Sequence, residues 1–208
     1  MELEYILPNE IEKRSFEIIS SELEKNIPDD IRPVVMRVIH TTADFDYAEN
    51  LYFSENVIDK AVSTLKKGCV IVTDTNMALS GINKTALNTL GCKAFCFMAD
   101  KDVAETAKEK GLTRAAVSVD KAAGIDKPVI FAAGNAPTAL IRLNEHIKSG
   151  DFIPELVIGC PVGFVNVIQS KEMIIQSGIP CIVARGRKGG SNVAAAVCNS
   201  LMYMITRK

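Results

Sequence analysis

The sequence of 208 residues lacks the features that mark several large classes of protein. Its formal net charge is only −1, so it offers no excess of positive charge for a nucleic-acid surface. No apolar run reaches the ~18 residues that a membrane-spanning helix needs. The acidic start of the chain, with Glu2 and Glu4, has none of the basic and apolar regions of a signal peptide. These absences predict a cytoplasmic globular protein that binds neither nucleic acid nor membrane.

Motifs for metals and nucleotides are absent as well. The six cysteines form no Cys-x-x-Cys pair and no Cys/His cluster with zinc spacing. Neither a Gly-x-x-x-x-Gly-Lys-Ser/Thr loop nor a Gly-x-Gly-x-x-Gly fingerprint occurs. Cys160 has no histidine close to it in sequence that could activate it, which favours a structural role. We therefore expect reduced core cysteines, no structural metal and no dinucleotide or adenosylmethionine cofactor.

Three helices are predicted in the first third of the chain. Asn9 followed by Glu12 resembles a capping box, and Asp30 precedes a helix with Pro33 in its first turn. Ser54 is the predicted cap of the third helix.

Five short apolar segments then alternate with helical patterns. Strands that are apolar throughout and alternate with helices are typical of a parallel sheet covered on both faces. The pattern predicts a single doubly wound α/β domain over residues 1–208. Its mostly parallel sheet is predicted to have five strands, at 69–73, 93–98, 128–132, 156–159 and 180–184.

One of only two histidines lies at the end of the second predicted helix, where the chemistry changes abruptly. His40 is followed at once by Thr41, Thr42, Asp44 and Asp46. Histidine is the side chain whose unperturbed pKa lies nearest neutrality, and neighbouring hydroxyls and carboxylates can orient it and tune it. On spacing alone, a proton-transfer group and a partly buried histidine bonded to a helix-end carbonyl are equally good interpretations. The second histidine fits the polar face of an ordinary helix.

Open α/β sheets bind ligands beyond the carboxyl ends of their strands, where this chain has unusual loops. The last of these loops combines Arg185, Arg187 and Lys188 with glycines that lead into a helix near Ser191. Exposed N–H groups, the positive end of the helix dipole and guanidinium forks together make an anion site. Phosphate and carboxylate are equally good ligands on this evidence, and a solvated basic loop is the alternative.

Five segments, taken in order, resemble the signature of the precorrin-8X methylmutases, including the cobalt-precorrin-8 enzymes of cobalamin biosynthesis. The segments are 37–47, 73–77, 134–138, 159–165 and 185–191. The resemblance covers nearly the whole chain. It implies an isomerase that moves a methyl group from ring carbon eleven to carbon twelve of a tetrapyrrole, with no cofactor or external methyl donor. It also implies a homodimer with the active site between subunits.

The resemblance further implies roles for individual residues. His40 would act as a general acid, and the basic loop would bind the acetate and propionate carboxylates of the substrate. A serine of the first helix and an arginine in the region of Arg114 would also contact the substrate. The predicted substrate-binding residues are Ser15, Thr41, Thr42, Asp44, Thr73, Arg114, Asn135, Arg185, Arg187, Lys188 and Ser191.

Two other functions stay open from the sequence. A sugar-phosphate or nucleotide-binding enzyme could use the basic loop as a phosphate cradle, which predicts a Mg²⁺ requirement and leaves His40 without a role. A corrinoid carrier without chemistry would be indifferent to the loss of His40. The cysteine-rich composition suits an anaerobic host and slightly favours a substrate that already contains cobalt.

Overall fold

A six-stranded sheet forms the centre of the computed structural model, which describes residues 3–207. The strand order is β1-β6-β5-β4-β2-β3, with β1 antiparallel to β6 and every other neighbouring pair parallel. The predicted mostly parallel α/β fold is confirmed. The strands are β1 Leu51–Phe53, β2 Val70–Thr73, β3 Lys93–Phe95, β4 Val129–Ala133, β5 Leu156–Gly159 and β6 Cys181–Ala184.

The predicted count of five strands is wrong, because the edge strand β1 was missed. Its three residues are too few to show a periodic pattern, and it pairs with β6. Ser54 extends this pairing: its N–H donates to the carbonyl of Cys181, and its hydroxyl accepts from the N–H of Cys181. Ser54 therefore does not cap the next helix, which begins after Asn56.

Helices connect the strands and cover both faces of the sheet. The predicted caps Asn9 and Asp30 are wrong, since the first two helices begin after Glu10 and Ile31 without a side-chain cap bond. Pro33 does lie in the first turn of its helix, as predicted. The helices are α1 Ile11–Glu22, α2 Arg32–Thr42, α3 Tyr47–Asn50, α4 Val57–Lys66, α5 Asn76–Gly81, α6 Lys84–Thr89, α7 Lys101–Lys110, α8 Arg114–Ala123, α9 Pro137–Ser149, α10 Val167–Gln176 and α11 Ser191–Thr206.

The central strands are apolar throughout because they feed two separate cores. Alternate residues of each strand point to opposite faces of the sheet. Ile71, Ile130 and Ile158 belong to the core under α2, α4 and α11. Phe131 and Val157 belong to the opposite core, which includes residues of α8, α9 and α10. Complete burial of such a side chain contributes about 1.5–3 kcal/mol to the stability of the folded protein.

A charged cluster around Glu12 holds α1 against α2 and α11. One carboxylate oxygen of Glu12 accepts from Arg37 at 2.9 Å and from Arg207 at 2.7 Å. The guanidinium of Arg37 also lies between the rings of Phe16 and Tyr203, at 4.8 and 5.1 Å from their centroids. The hydrogen bond from Arg37 is the main cause that lowers the pKa of Glu12 from 4.5 to about 2.

Glu12→Gln is expected to reduce the acid sensitivity of the fold. A lowered carboxyl pKa stabilises the protein above pH ~4.5, and this contribution is lost as the pH falls towards 2. Because Glu12 is nearly half exposed, we expect a loss below about 1 kcal/mol at pH 7. Urea unfolding at a series of pH values measures both effects, with the exposed Glu24→Gln as control. An unchanged slope of stability against pH would contradict this assignment.

Candidate active site

His40 lies in the last turn of α2, beside α1. Its ring meets the ring of Phe16 edge-on, with 5.3 Å between centroids. His40, Ser15 and Phe45 line a groove of about 260 Å³. His40 is exposed, so a ligand in the groove can reach the imidazole. The hydroxyl of Ser15 donates to the carbonyl of Ile11 within its own helix.

The two threonines after His40 are bonded to their own helix. Thr41 donates to the carbonyl of Arg37 at 2.9 Å, and Thr42 donates to the carbonyl of Val38 at 2.8 Å. Such bonds to the preceding turn are a common alternative for Thr hydroxyls in helices. Within residues 3–207, neither hydroxyl is bonded to His40.

Asp44 and Asp46 join the His40 segment to the basic loop. The ammonium of Lys188 donates to Asp44 at 2.7 Å and to Asp46 at 2.6 Å. These hydrogen bonds raise the pKa of Lys188 above its ordinary value, and the bond from Lys188 lowers the pKa of Asp44. Two segments 144 residues apart in sequence thus form one surface. The contacts of the aspartates orient Lys188.

Arg185 and Arg187 of the basic loop are exposed and lie against aromatic rings. The guanidinium of Arg185 lies 5.1 Å from the centroid of Tyr52 and within 3.3 Å of the carboxylate of Glu172. The guanidinium of Arg187 lies 5.7 Å from the centroid of Phe164. Arg187 therefore points towards the loop after β5, which contains Phe164. Phe164 is itself 84% exposed.

The basic loop is fastened to the loop that follows β5. Gly190 donates its N–H to the carbonyl of Cys160 at 2.8 Å, and Gly163 donates to the carbonyl of Arg187 at 3.2 Å. A side chain at Gly189 would overlap the Cys160 carbonyl, and its φ of +159° also disfavours other residues. The glycines therefore allow two backbones to pack in direct contact.

Asp74 is a buried carboxylate with no role predicted from the sequence. It follows β2 and accepts the N–H groups of Gly134, Asn135 and Ala136 at 2.6–2.8 Å. Burial raises the pKa of Asp74, while the three N–H bonds favour the charged carboxylate. Asp74 thereby fixes the loop between β4 and α9, and it leaves the side chain of Asn135 at the surface.

Thr73 and Ser191 lie beneath the surface of the strand ends. Thr73 is fully buried, and its single hydroxyl proton is shared between the carbonyls of Thr75 at 3.1 Å and Phe95 at 3.3 Å. Ser191 is the first residue of α11, and its hydroxyl lies 2.7 Å from that of Thr75. Thr73 thereby joins the end of β2 to the end of β3, and Ser191 joins the start of α11 to the segment after β2. The predicted start of the last helix at Ser191 is confirmed.

Arg114 is the first residue of α8 and is exposed. The preceding residue, Thr113, caps the helix and donates to the hydroxyl of Thr138 at 2.9 Å. Because Thr138 lies in the first turn of α9, Arg114 emerges near the loop between β4 and α9. It shares this edge of the sheet with Asn135.

Two buried groups beneath the basic loop complete the site. Burial raises the pKa of the Cys160 thiol to about 11, so the thiol stays protonated at neutral pH and is a poor nucleophile. Lys171 of α10 is fully buried, and burial lowers its pKa to about 8. Its ammonium donates to the carbonyls of Gly186 and Lys188. Lys171 escaped prediction from the sequence, although a lysine on the buried face of a helix is unusual enough to be a signal.

The surface combines an exposed imidazole, basic side chains and exposed apolar side chains at Val162, Phe164 and Val165. This combination suits a ligand with an apolar body and an anionic rim.

Residues 3–207 contain no group of three or more His, Cys, Asp or Glu side chains arranged to hold a metal ion. No helix in the same range has the length and apolar character to traverse a bilayer.

The α/β fold and this surface are typical of an enzyme that binds an anionic ligand, and comparisons with known proteins identify the family. Residues 10–204 match the family described as precorrin-8X methylmutase. The chain belongs to the precorrin-8X methylmutase family, whose members are isomerases of cobalamin biosynthesis that transfer a methyl group within one molecule. The predicted family and enzyme class are therefore confirmed.

Individual relatives show how extensive the similarity is. The chain is 45% identical to the cobalt-precorrin-8 methylmutase of Salmonella typhimurium, covering 94% of this chain and 95% of the relative. It is 35% identical to the precorrin-8X methylmutase of Pseudomonas aeruginosa, covering 92% and 93%. A crystal structure of precorrin-8x methyl mutase from Thermus thermophilus superimposes with a TM-score of 0.86 at 34% identity, covering 94% and 96%.

Proposed function

We propose that the substrate is cobalt-precorrin-8 and that the product is cobyrinate. Three relatives named for the cobalt substrate are 40–45% identical to this chain, whereas two relatives named for precorrin-8X, like three further cobalt-named ones, are 33–36% identical. The observation that carries the proposal is the pair of hydrogen bonds from Lys188 of the basic loop to Asp44 and Asp46, which follow the exposed His40 closely in sequence. Proton donation and carboxylate binding thereby meet on one surface.

His40 is the proposed general acid. As imidazolium it donates a proton or a hydrogen bond to a ring nitrogen or substituent beside the migrating centre, which withdraws electron density there, and a donated proton returns to His40 when the product forms. The bond from the methyl group to carbon eleven breaks as the bond to carbon twelve forms, so no atom is gained or lost. A general acid of this kind contributes about 10²–10⁴ in rate.

The basic loop is the proposed binding site for the substrate's carboxylates. Arg187 and Lys188 offer charged donors, and the N-terminus of α11 adds its dipole. Arg114, Arg185 and Asn135 are proposed as further contacts along the same edge of the sheet. Binding energy from this rim would favour the ring distortion that the shift requires.

A homodimer with an intersubunit active site is part of the proposal. A groove of about 260 Å³ is small for a tetrapyrrole, which supports a site completed by a second copy of the chain. The exposed apolar side chains of Val162, Phe164 and Val165 offer a surface for such a contact. We also place the enzyme in the cytoplasm, where its six free cysteines would stay reduced.

The visible absorption spectrum tests the substrate assignment. The protein is incubated with metal-free precorrin-8 and, separately, with the cobalt-loaded form. The isomerised ring has a longer conjugated system, so we expect a new absorption band, and faster conversion of the cobalt form. Faster conversion of the metal-free form would contradict the cobalt assignment. Binding without conversion would identify a carrier, and no interaction would favour the phosphate-cradle alternative.

A further inference from the structure

Lys171 is a fully buried cation, and both of its hydrogen-bonding partners among residues 3–207 belong to the basic loop. Its ammonium donates to the carbonyl of Gly186 at 2.9 Å and to the carbonyl of Lys188 at 2.8 Å. Burial of an ammonium is costly, and lysine is almost never fully buried without partners. Here the partners are two backbone carbonyls of a loop that carries exposed basic side chains.

The two bonded carbonyls lie on either side of Arg187. The Gly186 carbonyl lies in the peptide plane before Arg187, and the Lys188 carbonyl lies in the plane after Lys188, so the two bonds hold the outer planes of the Arg187–Lys188 pair. Gly186 has a φ of +73°, and two more glycines end the loop, so this backbone has many alternative conformations when it is not held. The carbonyl of Arg187 itself accepts the N–H of Gly163 from the neighbouring loop.

We propose that Lys171 is a positioning residue for substrate binding. Its ammonium holds the Gly186–Lys188 backbone from below, so that Arg187 and Lys188 are already oriented to receive the substrate's carboxylates. Such preorganisation strengthens binding because less conformational freedom is lost when the ligand arrives. The inference rests on the proposed function, since it takes this loop as the rim-binding site.

The charge state of Lys171 is consistent with this role. Burial lowers the pKa of its side chain to about 8. At pH 7 the side chain is therefore mainly the ammonium, which is a stronger hydrogen-bond donor than the neutral amine.

The test compares Lys171→Met with wild type in two measurements. Methionine keeps a long apolar stem but removes the donor and the charge. We expect amide hydrogen exchange at Gly163 and Gly190 in the ligand-free protein to become about tenfold faster or more, while the amide of Phe131 in β4 is unaffected. We expect KM for cobalt-precorrin-8 to rise about tenfold, with kcat changed by less than about threefold.

Lys110→Met on the exposed face of α7 is the matched control and should keep wild-type exchange and kinetics. A folded Lys171→Met variant with wild-type exchange and wild-type KM would overturn the proposal. A lowered kcat at unchanged KM would also overturn it. If Lys171→Met does not fold, Lys171→Gln takes its place, because its polar amide is better tolerated but is shorter than lysine and carries no charge. We still expect faster exchange and a higher KM in that variant, and wild-type values would count against the proposal.

Different results identify a wrong positioning role for Lys171 and a wrong proposed function. If wild type converts precorrin-8 but loss of Lys171 leaves KM unchanged, the function stands and the positioning role is wrong. If wild type converts neither form, the function is wrong. Amide exchange at Gly163 and Gly190 then still shows whether Lys171 holds the loop.

Discussion

Replacing His40 by alanine is expected to lower kcat by about 10²–10⁴-fold while leaving the affinity for the corrinoid product within about threefold. The expected loss is catalytic because His40 is exposed beside its groove and no carboxylate-binding side chain is removed. The substitution also removes little buried surface, so the variant should fold normally. Single-turnover absorbance measures the conversion, and titration with product measures the affinity.

His146→Ala is the matched control for this variant. Its ring bonds to Asp120 at 2.7 Å on the face between α8 and α9, and the proposed mechanism assigns it no part. We expect wild-type kcat in this control. Near wild-type turnover in His40→Ala would contradict the proposed acid, and product binding without turnover by wild type would favour a carrier.

Asp74→Ala is expected to have the largest effect on stability. The substitution leaves three backbone N–H groups without their acceptor, and a buried unsatisfied group costs about 1–3 kcal/mol. We therefore expect the free energy of unfolding to fall by at least about 3 kcal/mol. In a protein of this size, such a loss lowers Tm by roughly 6–12 °C.

Urea unfolding and thermal melting measure this change directly. The control is Asp59→Ala on the exposed face of α4, for which we expect less than about 0.5 kcal/mol. A loss of less than about 1 kcal/mol in Asp74→Ala would show that other acceptors or water replace the carboxylate. It would contradict the role of Asp74 in fixing the loop after β4.

The parallel core of the fold was predictable because its strands carry their own signal. Segments such as Val129–Ala133 are buried on both sides, so they are apolar throughout and end at polar or glycine-rich loops. The edge strand Leu51–Phe53 escaped prediction because three residues carry no period and its pairing partner lies far along the chain. The caps at Asn9 and Asp30 were wrong because local sequence preference does not decide where these helices start.

The candidate site was predictable only as separate segments. His40 and the basic loop could be named from residue type and spacing, but their connection through Lys188 depends on a fold that brings distant residues together. Asp74 and Lys171 were missed because each acts on backbone groups of another loop. Sequence shows which side chains are present, but not which distant carbonyl or N–H group they will meet.

The most direct test of the central claim follows the migrating methyl group itself. Cobalt-precorrin-8 with an isotope label in the methyl group on ring carbon eleven is mixed with unlabelled substrate and converted by the enzyme without any additive. Nuclear magnetic resonance and mass spectrometry of the product should find the label on carbon twelve, with no transfer of label between molecules. A label that stays on carbon eleven, or that appears in molecules supplied unlabelled, would contradict an intramolecular methyl shift.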